Sequence, residues 1–240
     1  MSESAFSLAG RHILITGASS GIGRATAMLC AELGATLTLT GRAIERLEET
    51  RQQLQGNGHT ILAGDLTDAE FRQQLVDNLN PLDGASFNAG IAELVPVRMV
   101  SEKHIDQIFS INYHAPMLLT QRLLAKKKIN AGGSLVYVTA RAEHIAPLAT
   151  AIYSGAKAAL TASVRTIALE HAKQGIRANC VSPGYVETPM LEKLQGVASL
   201  KDKIDLAPLG TISAEEVAHS VGYLLSPAAR WVTRSTLVVD

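Results

Sequence analysis

The sequence predicts a single α/β domain: a doubly wound parallel sheet of about seven strands with helices on both faces. Short β-branched or apolar runs alternate with helical patterns along all 240 residues. The helical patterns are long enough to serve as crossovers between parallel strands. A glycine-rich turn joins the first strand pattern to the first helix pattern. No repeat, low-complexity tract or linker divides the chain, so residues 1–240 are predicted to form one domain.

Four strand patterns and three helix patterns alternate in the first part of the chain. Gly34 and Gly56 each follow a helix pattern, where glycine commonly ends a helix because it adopts positive φ. A turn at Asp83–Gly84 is predicted before the fourth strand. The strands are predicted at His12–Thr16, Ala35–Thr40, His59–Gly64 and Ala85–Gly90, and the helices at Ile22–Leu33, Ala43–Gln55 and Asp68–Leu79.

The same alternation continues in the second part of the chain. Ser101 is placed to cap a long helix that reaches about Ala125 and contains Asn112 and Pro116. The "SAEE" stretch from Ser213 has the form of a capping box before another helix. Further strands are predicted at Ser134–Thr139, Ile176–Ser182 and Ser235–Asp240, with a helix at 152–172 between the first two.

One irregular stretch interrupts the pattern. Residues 183–210 contain prolines and show little periodicity. A long connection in a compact domain is commonly a functional cover, and this one follows the carboxyl end of a strand, where ligands bind in this fold class. We therefore expect residues 184–212 to cover a substrate.

Composition excludes several classes of partner. Lys and Arg balance Asp and Glu at 22 each, so no charge excess favours nucleic acid or an anionic membrane. No apolar run approaches the ~18 residues that cross a bilayer, and the N-terminus lacks the form of a secretory signal. We expect a cytoplasmic protein with neither nucleic-acid nor membrane partners.

The histidines and cysteines do not suggest a metal or redox site. The seven histidines are scattered without metal-ligand spacing, so no metal site is predicted. Cys30 falls in a helix pattern and Cys180 in a strand pattern. Two buried free thiols are favoured over a disulfide or a redox pair.

The turn "TGASSGIGRA" has the features of a dinucleotide site. Its glycines permit positive φ and let the backbone approach a pyrophosphate, and the helix that follows presents N–H donors and a favourable dipole. The strand–turn–helix context makes this a much stronger signal than the glycines alone. The candidate cofactor residues in the turn are Gly17, Ser19, Ser20, Gly21, Ile22 and Gly23.

The second strand ends in residues that favour NADP(H) over NAD(H). An acid in this region would accept from the adenosine 2′-hydroxyl and repel a 2′-phosphate. The chain instead has Thr40, Gly41 and Arg42, and Arg42 can pair with a phosphate, helped by the hydroxyls of Thr40 and Ser19. Asp65, after the third strand, is placed to meet an adenine amino group. A solvated arginine and a turn-capping aspartate are the alternatives.

A tyrosine–lysine pair is the candidate for chemistry. Tyr153 and Lys157 stand four residues apart in a helical pattern, so both side chains lie on one face and the ammonium can act on the phenol. A hydroxyl upstream of such a pair would help to hold a carbonyl oxygen. The chain offers Thr139, followed by Ala140.

Together these residues resemble the short-chain dehydrogenase/reductase family, in its compact type of roughly 250 residues. The resemblance implies a Rossmann-type fold and oligomers, dimers or tetramers, formed through helices 101–125 and 152–172. The matching motifs, in family order over nearly the whole chain, are "TGASSGIG" (Thr16–Gly23), "NAG" (Asn88–Gly90), Asn112, "YSGAK" (Tyr153–Lys157) and "PGYVETP" (Pro183–Pro189).

The resemblance also implies roles for individual residues. Tyr153 would be the general acid/base, and Lys157 would hold the nicotinamide ribose and lower the pKa of the tyrosine. Asn112 would help to hold a water that links Lys157 to solvent. Val186 and Thr188 would fix the nicotinamide carboxamide. The other residues assigned to cofactor binding are Leu66, Asn88, Ala89, Gly90, Pro183 and Gly184.

The chain departs from the family pattern at the catalytic serine, which usually stands 13 positions before the tyrosine. Counting back 13 positions from Tyr153 leads to Ala140. The family often has a proline between the serine and the tyrosine, and counting from Pro147 leads to Thr139 instead. We favour Ala140 in the place of the serine. Neighbouring side chains of a strand face opposite ways, so only one of the two is expected to face the site. Phe87 also replaces the first of two asparagines usual before "AG", and "TRS" at Thr233–Ser235 replaces the frequent "TGQ".

Three functions follow from these observations. The favoured one is an NADP(H)-dependent oxidoreductase acting on the carbonyl or secondary alcohol of a small, polar molecule. A catalytically weak or inactive dinucleotide-binding sensor or scaffold is the alternative. A 3-oxoacyl carrier-protein reductase is a special case, suggested only by Lys126–Lys128 and Lys173. The candidate substrate-lining residues, each of which could equally be plain loop surface, are Arg141, Glu143, His144, Tyr185, Glu187 and Met190.

Overall fold

A computed structural model describes residues 4–194 and 207–240. Its strands form one seven-stranded parallel sheet in the order β3-β2-β1-β4-β5-β6-β7. The predicted doubly wound, Rossmann-type fold is therefore confirmed. The strands are β1 His12–Thr16, β2 Thr36–Gly41, β3 Thr60–Ala63, β4 Leu82–Phe87, β5 Ile129–Val138, β6 Arg177–Pro183 and β7 Thr236–Val239.

Helices cover both faces of the sheet. One buried apolar cluster joins the sheet to α1, α2 and α9, and a second joins it to α3, α5 and α7. The described helices are α1 Gly21–Glu32, α2 Ile44–Gln52, α3 Ala69–Asn78, α4 Glu102–Phe109, α5 Ala115–Ala125, α6 Ala142–Ile145, α7 Ala151–Glu170, α8 Pro189–Leu194 and α9 Ala214–Leu225.

The strand order reverses between β1 and β4. The chain passes outward from β1 to β3 on one side and from β4 to β7 on the other, so the loops after β1 and β4 separate at this point. In open sheets of this kind, ligands bind in the crevice that such a reversal leaves at the carboxyl ends of the strands.

The long helix predicted from Ser101 is not uniform. A π-helical turn over Ser110–His114 separates α4 from α5. Pro116 lacks an amide hydrogen, and in a regular helix its ring would meet the carbonyl of Asn112, four residues earlier. The wider turn accommodates the proline and is a frequent feature of functional sites.

One local prediction was wrong, and two short helices were not predicted. The turn predicted at Asp83–Gly84 lies inside β4, where a Cβ at Gly84 would stand 2.9 Å from the backbone oxygen of Ser134. The glycine thus serves close strand packing, while a carboxylate oxygen of Asp83 accepts from the amide of His12 at 2.9 Å. The short helices that were not predicted are α6, after β5, and α8, within the irregular stretch.

The cysteine prediction is confirmed. Cys30 and Cys180 are both buried and free. Burial raises the pKa of each thiol to about 12, so both stay protonated at neutral pH. Among the described helices, none combines the length and the apolar character needed to span a membrane.

Candidate active site

The glycine turn after β1 is a tight cradle. Gly17 has φ of +66°, and a Cβ there would lie 2.9 Å from the amide nitrogen of Ala89. A Cβ at Gly23 would lie 2.2 Å from the carbonyl oxygen of Gly17, so only glycine fits. Ser20 precedes α1 without a side-chain cap, and the first turn of α1 carries no acid. The amides at the start of α1 are therefore available to an anion.

The predicted adenosine residues gather beside this turn. The hydroxyl of Ser19 would lie 3.6 Å from a Cβ at Gly41, and the buried hydroxyl of Thr40 has no hydrogen-bond partner among the described residues. Arg42 is exposed and forms no ion pair with any residue the structure describes. Burial acts to raise the pKa of Asp65, but hydrogen bonds from Thr67 and the charge of Arg42 bring it below its usual value.

Arg24 is a residue of this region that the sequence analysis missed. Its guanidinium donates to the carbonyl oxygen of Ser19 at 2.9 Å and pairs with Glu49 at 3.2 Å. It also donates to the hydroxyl of Thr50 at 3.0 Å, so it ties the turn to α2. The available signal was a basic residue directly after Gly23 together with the run of acids in α2.

Hydrogen bonds join the ends of β1 and β4. The hydroxyl of Thr16 accepts from the amides of Asn88 and Ala89 at 3.0 and 3.3 Å, and the Asn88 side chain donates to the Thr16 carbonyl at 3.1 Å. Phe87 is buried and stacks on Tyr137, with ring centroids 4.4 Å apart. This apolar stack stands where the family pattern has an asparagine.

Lys157 is buried beneath Tyr153. Its ammonium donates to the carbonyl oxygen of Val138 at 2.9 Å and lies 5.9 Å from the centroid of the Tyr153 ring. A Cβ at Gly90 would stand 3.5 Å from the Lys157 nitrogen, so the small residue leaves room for the ammonium. The structure thus brings the predicted pair together next to the "NAG" loop.

Asn112 fixes that loop from the π-helical turn. Its side-chain nitrogen donates to the carbonyl oxygens of Ile91 and Ile108 at 2.9 and 3.0 Å, and its oxygen accepts from the Ile91 amide at 3.3 Å. A Cβ at Gly90 would stand 2.7 Å from this oxygen. Within the described structure, the side chain therefore acts by holding the loop that faces Lys157.

Glu143 sets the electrostatics of the pair. Its carboxylate is 2% exposed, accepts from the Thr161 hydroxyl at 2.6 Å and lies 3.0 Å from a ring nitrogen of His144. Burial, and then the charge of Glu143, raise the pKa of Tyr153 above its usual value. Burial lowers the pKa of Lys157 to about 8, with Glu143 opposing the change. At neutral pH the phenol is therefore protonated and able to donate.

The two candidates for the serine position differ in what they offer. The hydroxyl of Thr139 donates to the carbonyl oxygen of Val181 at 3.3 Å and is almost fully buried. Ala140 is also buried, and both residues border the same cavity. The Thr139 hydroxyl is thus engaged with β6, and Ala140 provides no donor.

A cavity at the carboxyl ends of β4, β5 and β6 unites much of the predicted site. Of the substrate-lining candidates, Arg141, Tyr185 and Met190 border it, whereas Glu143, His144 and Glu187 do not. The predicted catalytic and cofactor residues along it are Ile22, Asn88, Gly90, Asn112, Thr139, Ala140, Tyr153, Lys157, Pro183, Gly184, Val186 and Thr188.

Other predicted cofactor residues lie outside this cavity. Four of them lie on the other side of the glycine turn, near the ends of β2 and β3: Ser19, Thr40, Arg42 and Asp65. A fifth, Leu66, is buried in the core. The turn connects the two regions, since a Cβ at its Gly21 would stand 3.1 Å from the Thr188 side chain.

The described ends of the predicted covering segment are paired. Val186 and Ile212 form a parallel bridge, and the amide of Ile212 donates to the carbonyl of Tyr185 at 3.0 Å. Within 184–194, the residues that border the cavity are Gly184, Tyr185, Val186, Thr188, Met190 and Leu191, and Ile212 is bridged to one of them. The part of the prediction that concerns residues 195–206 lies outside the described residues.

The comparisons with known proteins agree with this geometry. A family model described as enoyl-(acyl carrier protein) reductase matches residues 17–240. The chain is 32% identical to the 3-oxoacyl-(acyl-carrier-protein) reductase FabG of Rickettsia bellii and 33% identical to L-xylulose reductase of Mus musculus. Each match covers 97% of this chain and 96% of the relative.

Solved structures have the same architecture. A crystal structure of a putative short-chain alcohol dehydrogenase from Sinorhizobium meliloti 1021 superposes with a TM-score of 0.90 at 29% identity, covering 99% of this chain and 97% of that one. A structure described as a short chain dehydrogenase/reductase family protein gives a TM-score of 0.86 at 34% identity, covering 97% of each chain. The chain therefore belongs to the short-chain dehydrogenase/reductase family of nicotinamide-dependent oxidoreductases.

Proposed function

We propose that the protein is an NADP(H)-dependent oxidoreductase that interconverts a carbonyl group and a secondary alcohol on a small, polar substrate. The observation that carries the proposal is the placement of Tyr153 over buried Lys157 at the cavity beside the glycine turn. The bound nicotinamide supplies or accepts the hydride in this chemistry. The protein's own task is to position the substrate and to move one proton.

The residues present fit a dinucleotide. The space above Gly23 and Gly17 admits no Cβ, and the start of α1 has uncapped amides, which suits a pyrophosphate. On the cavity side, the ammonium of Lys157 would hold ribose hydroxyls, and Thr188 with the Val186 backbone would hold the carboxamide. These assignments leave the substrate between the nicotinamide and Tyr153.

Tyr153 is the residue that moves the proton. Its phenol gives a proton to the carbonyl oxygen during reduction and takes it back from the alcohol during oxidation. The charge of Lys157 would stabilise the phenolate that forms. It would act against burial and the charge of Glu143, which raise the pKa of Tyr153. Asn112 positions the Gly90 loop that borders the ammonium.

We infer that Ala140 occupies the place of the family's serine. The Thr139 hydroxyl already donates to Val181, which leaves Tyr153 as the donor to the carbonyl oxygen. Loss of one such donor commonly costs ~10²–10³ in rate, so the enzyme is slowed rather than inactivated.

The preference for NADP(H) rests on the end of β2. Gly41 places no carboxylate against a 2′-phosphate, and the Ser19 hydroxyl would lie 3.6 Å from a Cβ at this glycine. Arg42 is exposed and forms no ion pair with any described residue. An arginine in this setting can form a bidentate contact with a phosphate.

Two other functions make distinct demands. A sensor or scaffold would bind the dinucleotide without turnover. A carrier-protein reductase is among the relatives named above, but the lysines that suggested this function do not support it. Lys126–Lys128 and Lys173 precede β5 and β6, so they lie at the amino ends of the strands, whereas the cavity lies at the carboxyl ends. The side chain of Lys128 also donates to the carbonyl oxygen of Leu79.

A substrate panel tests the proposal. Oxidation of NADPH and of NADH is followed with small hydroxylated ketones, apolar ketones, acetoacetyl-coenzyme A and a crotonyl thioester. We expect turnover of at least one ketone with NADPH as the better cofactor. Preference for acetoacetyl-coenzyme A would indicate the carrier-protein reductase, reduction of the crotonyl thioester would indicate an enoyl reductase, and cofactor binding without turnover would indicate the sensor.

The predicted assembly is part of the proposal. Exposed apolar side chains occur on both long helices named for it: Ile105 and Leu118 on the α4–α5 segment and Leu169 on α7. Pairing of these helices between copies would cover them, consistent with a homodimer or homotetramer.

A further inference from the structure

One wall of the cavity is formed by an ion pair that the proton chemistry does not use. Arg141 follows Ala140 after β5, and Asp240 follows β7. The Nε of Arg141 donates to Oδ2 of Asp240 at 2.7 Å, and both residues border the cavity. The side chains are 31% and 15% exposed, so the pair is largely withdrawn from solvent.

The backbone holds this pair in place. The Arg141 amide donates to the Pro183 carbonyl at 2.9 Å, and the Gly184 amide donates to the Val239 carbonyl at 2.8 Å. A Cβ at Gly184 would lie 2.3 Å from Oδ1 of Asp240, so the carboxylate packs directly on the glycine. Three strand ends therefore fix the positions of the two charges.

Several polar atoms of the wall remain unused. The Nη atoms of Arg141, Oδ1 of Asp240 and the hydroxyl of Tyr185 make no hydrogen bond to any residue in 4–194 or 207–240. Burial, followed by the charge of Asp240, raises the pKa of Tyr185, as expected for a phenol close to the carboxylate. The wall thus offers N–H donors and a carboxylate acceptor side by side.

The composition of the wall discriminates between kinds of ligand. A hydroxyl group both donates and accepts, so two neighbouring hydroxyls can satisfy the guanidinium and the carboxylate together. A substrate carboxylate would pair with Arg141 but meet the negative charge of Asp240. An apolar chain would leave the Nη atoms of Arg141 and Oδ1 of Asp240 without hydrogen-bond partners.

We propose that the Arg141–Asp240 pair is the substrate subsite of a polyhydroxylated ketone or aldehyde, with hydroxyls next to the carbonyl bound by the pair while the carbonyl faces Tyr153. The inference rests on the proposed function and deepens it. It assigns substrate specificity to two residues that stand 99 positions apart in the chain.

The test uses three four-carbon ketones with the NADPH-loaded enzyme: erythrulose, butan-2-one and 2-oxobutanoate. We expect erythrulose to be preferred, and Arg141→Met to lower its kcat/KM by ~10–100-fold while butan-2-one changes little, because hydrogen bonds to charged groups are lost only with the hydroxylated substrate. Arg98→Met, at an exposed arginine, is the matched control. Asp240→Asn should weaken erythrulose and improve 2-oxobutanoate.

Two outcomes overturn the proposal. One is an unchanged ratio of erythrulose to butan-2-one in both variants, and the other is a wild-type preference for 2-oxobutanoate. Calorimetry of erythritol against butan-2-ol with the NADP⁺-loaded protein separates this failure from failure of the proposed function. Erythritol binding that depends on Arg141 supports the subsite even without turnover, and erythritol binding no tighter than butan-2-ol refutes it.

Discussion

The replacement of the family's serine gives the sharpest prediction about rate. In the Ala140→Ser variant, a hydroxyl is added at a position that borders the cavity near Tyr153. A preorganised donor to a developing oxyanion is commonly worth ~10²–10³ in rate. The surrounding residues are not packed to orient a hydroxyl at this position, so we expect less than the full effect, an increase in kcat of ~10-fold or more.

The neighbouring threonine provides the contrast. The Thr139 hydroxyl lies 3.3 Å from the Val181 carbonyl oxygen, and that contact already uses its hydrogen. Thr139→Val keeps the shape and removes the hydroxyl, and we expect kcat to change by less than ~3-fold because no oxyanion donor is lost. A small loss of thermal stability should accompany the loss of the hydrogen bond.

The assay is steady-state NADPH oxidation with one ketone at saturating cofactor, on the wild type and both variants. The reverse pattern would refute the reasoning: a Thr139→Val enzyme slowed by ~10-fold or more, with Ala140→Ser unchanged, would make Thr139 the working hydroxyl. Insensitivity to both changes would mean that the substrate itself supplies the second donor.

Three further predictions concern the cofactor, the pH profile and the turn. Arg42→Ala should weaken NADPH binding by ~10–100-fold and leave NADH binding unchanged in paired titrations. An equal effect on both cofactors would contradict a contact between Arg42 and the 2′-phosphate. Glu143→Gln should move the pH profile of alcohol oxidation to lower pH, because the nearby charge that raises the pKa of Tyr153 is gone; an unmoved or upward-shifted profile would contradict this. Gly23→Ala should abolish cofactor binding in titrations, whereas Gly155→Ala, where a Cβ has open space, should not; retained binding in Gly23→Ala would contradict the cradle.

The fold, and those site residues that lie close together in the chain, could be predicted from the sequence. Glycine spacing, strand patterns and the four-residue step from Tyr153 to Lys157 are short-range signals. The structure agrees with them except at the fourth strand, which spans Leu82–Phe87 rather than Ala85–Gly90. The motifs that line the cavity were found for the same reason. The motifs at Thr16–Gly23, Asn88–Gly90 and Pro183–Pro189 lie at the carboxyl ends of strands, which parallel strands bring together. Tyr153 and Lys157 reach the cavity from α7 instead, and Asn112 reaches it from the π-helical turn.

What escaped prediction depends on contacts between distant segments. The pairing of Arg141 with Asp240 needs β5, β6 and β7 to be side by side, and no spacing in the chain reports it. Glu143 looked like loop surface until α7 covered it. Asp-Gly pairs are common in turns, but here Gly84 is a strand residue because β5 packs too closely against it for a side chain to fit.

The most direct measurement is made on Tyr153→Phe, because the central claim gives the proton transfer to that phenol. NADPH affinity and ketone turnover are measured on the same preparation, beside the wild type. The ring still packs over Lys157, so we expect cofactor affinity to stay near the wild-type value while turnover falls by at least ~10²–10⁴, the usual contribution of a general acid. Near-normal turnover in Tyr153→Phe would contradict the account and place the proton donor elsewhere.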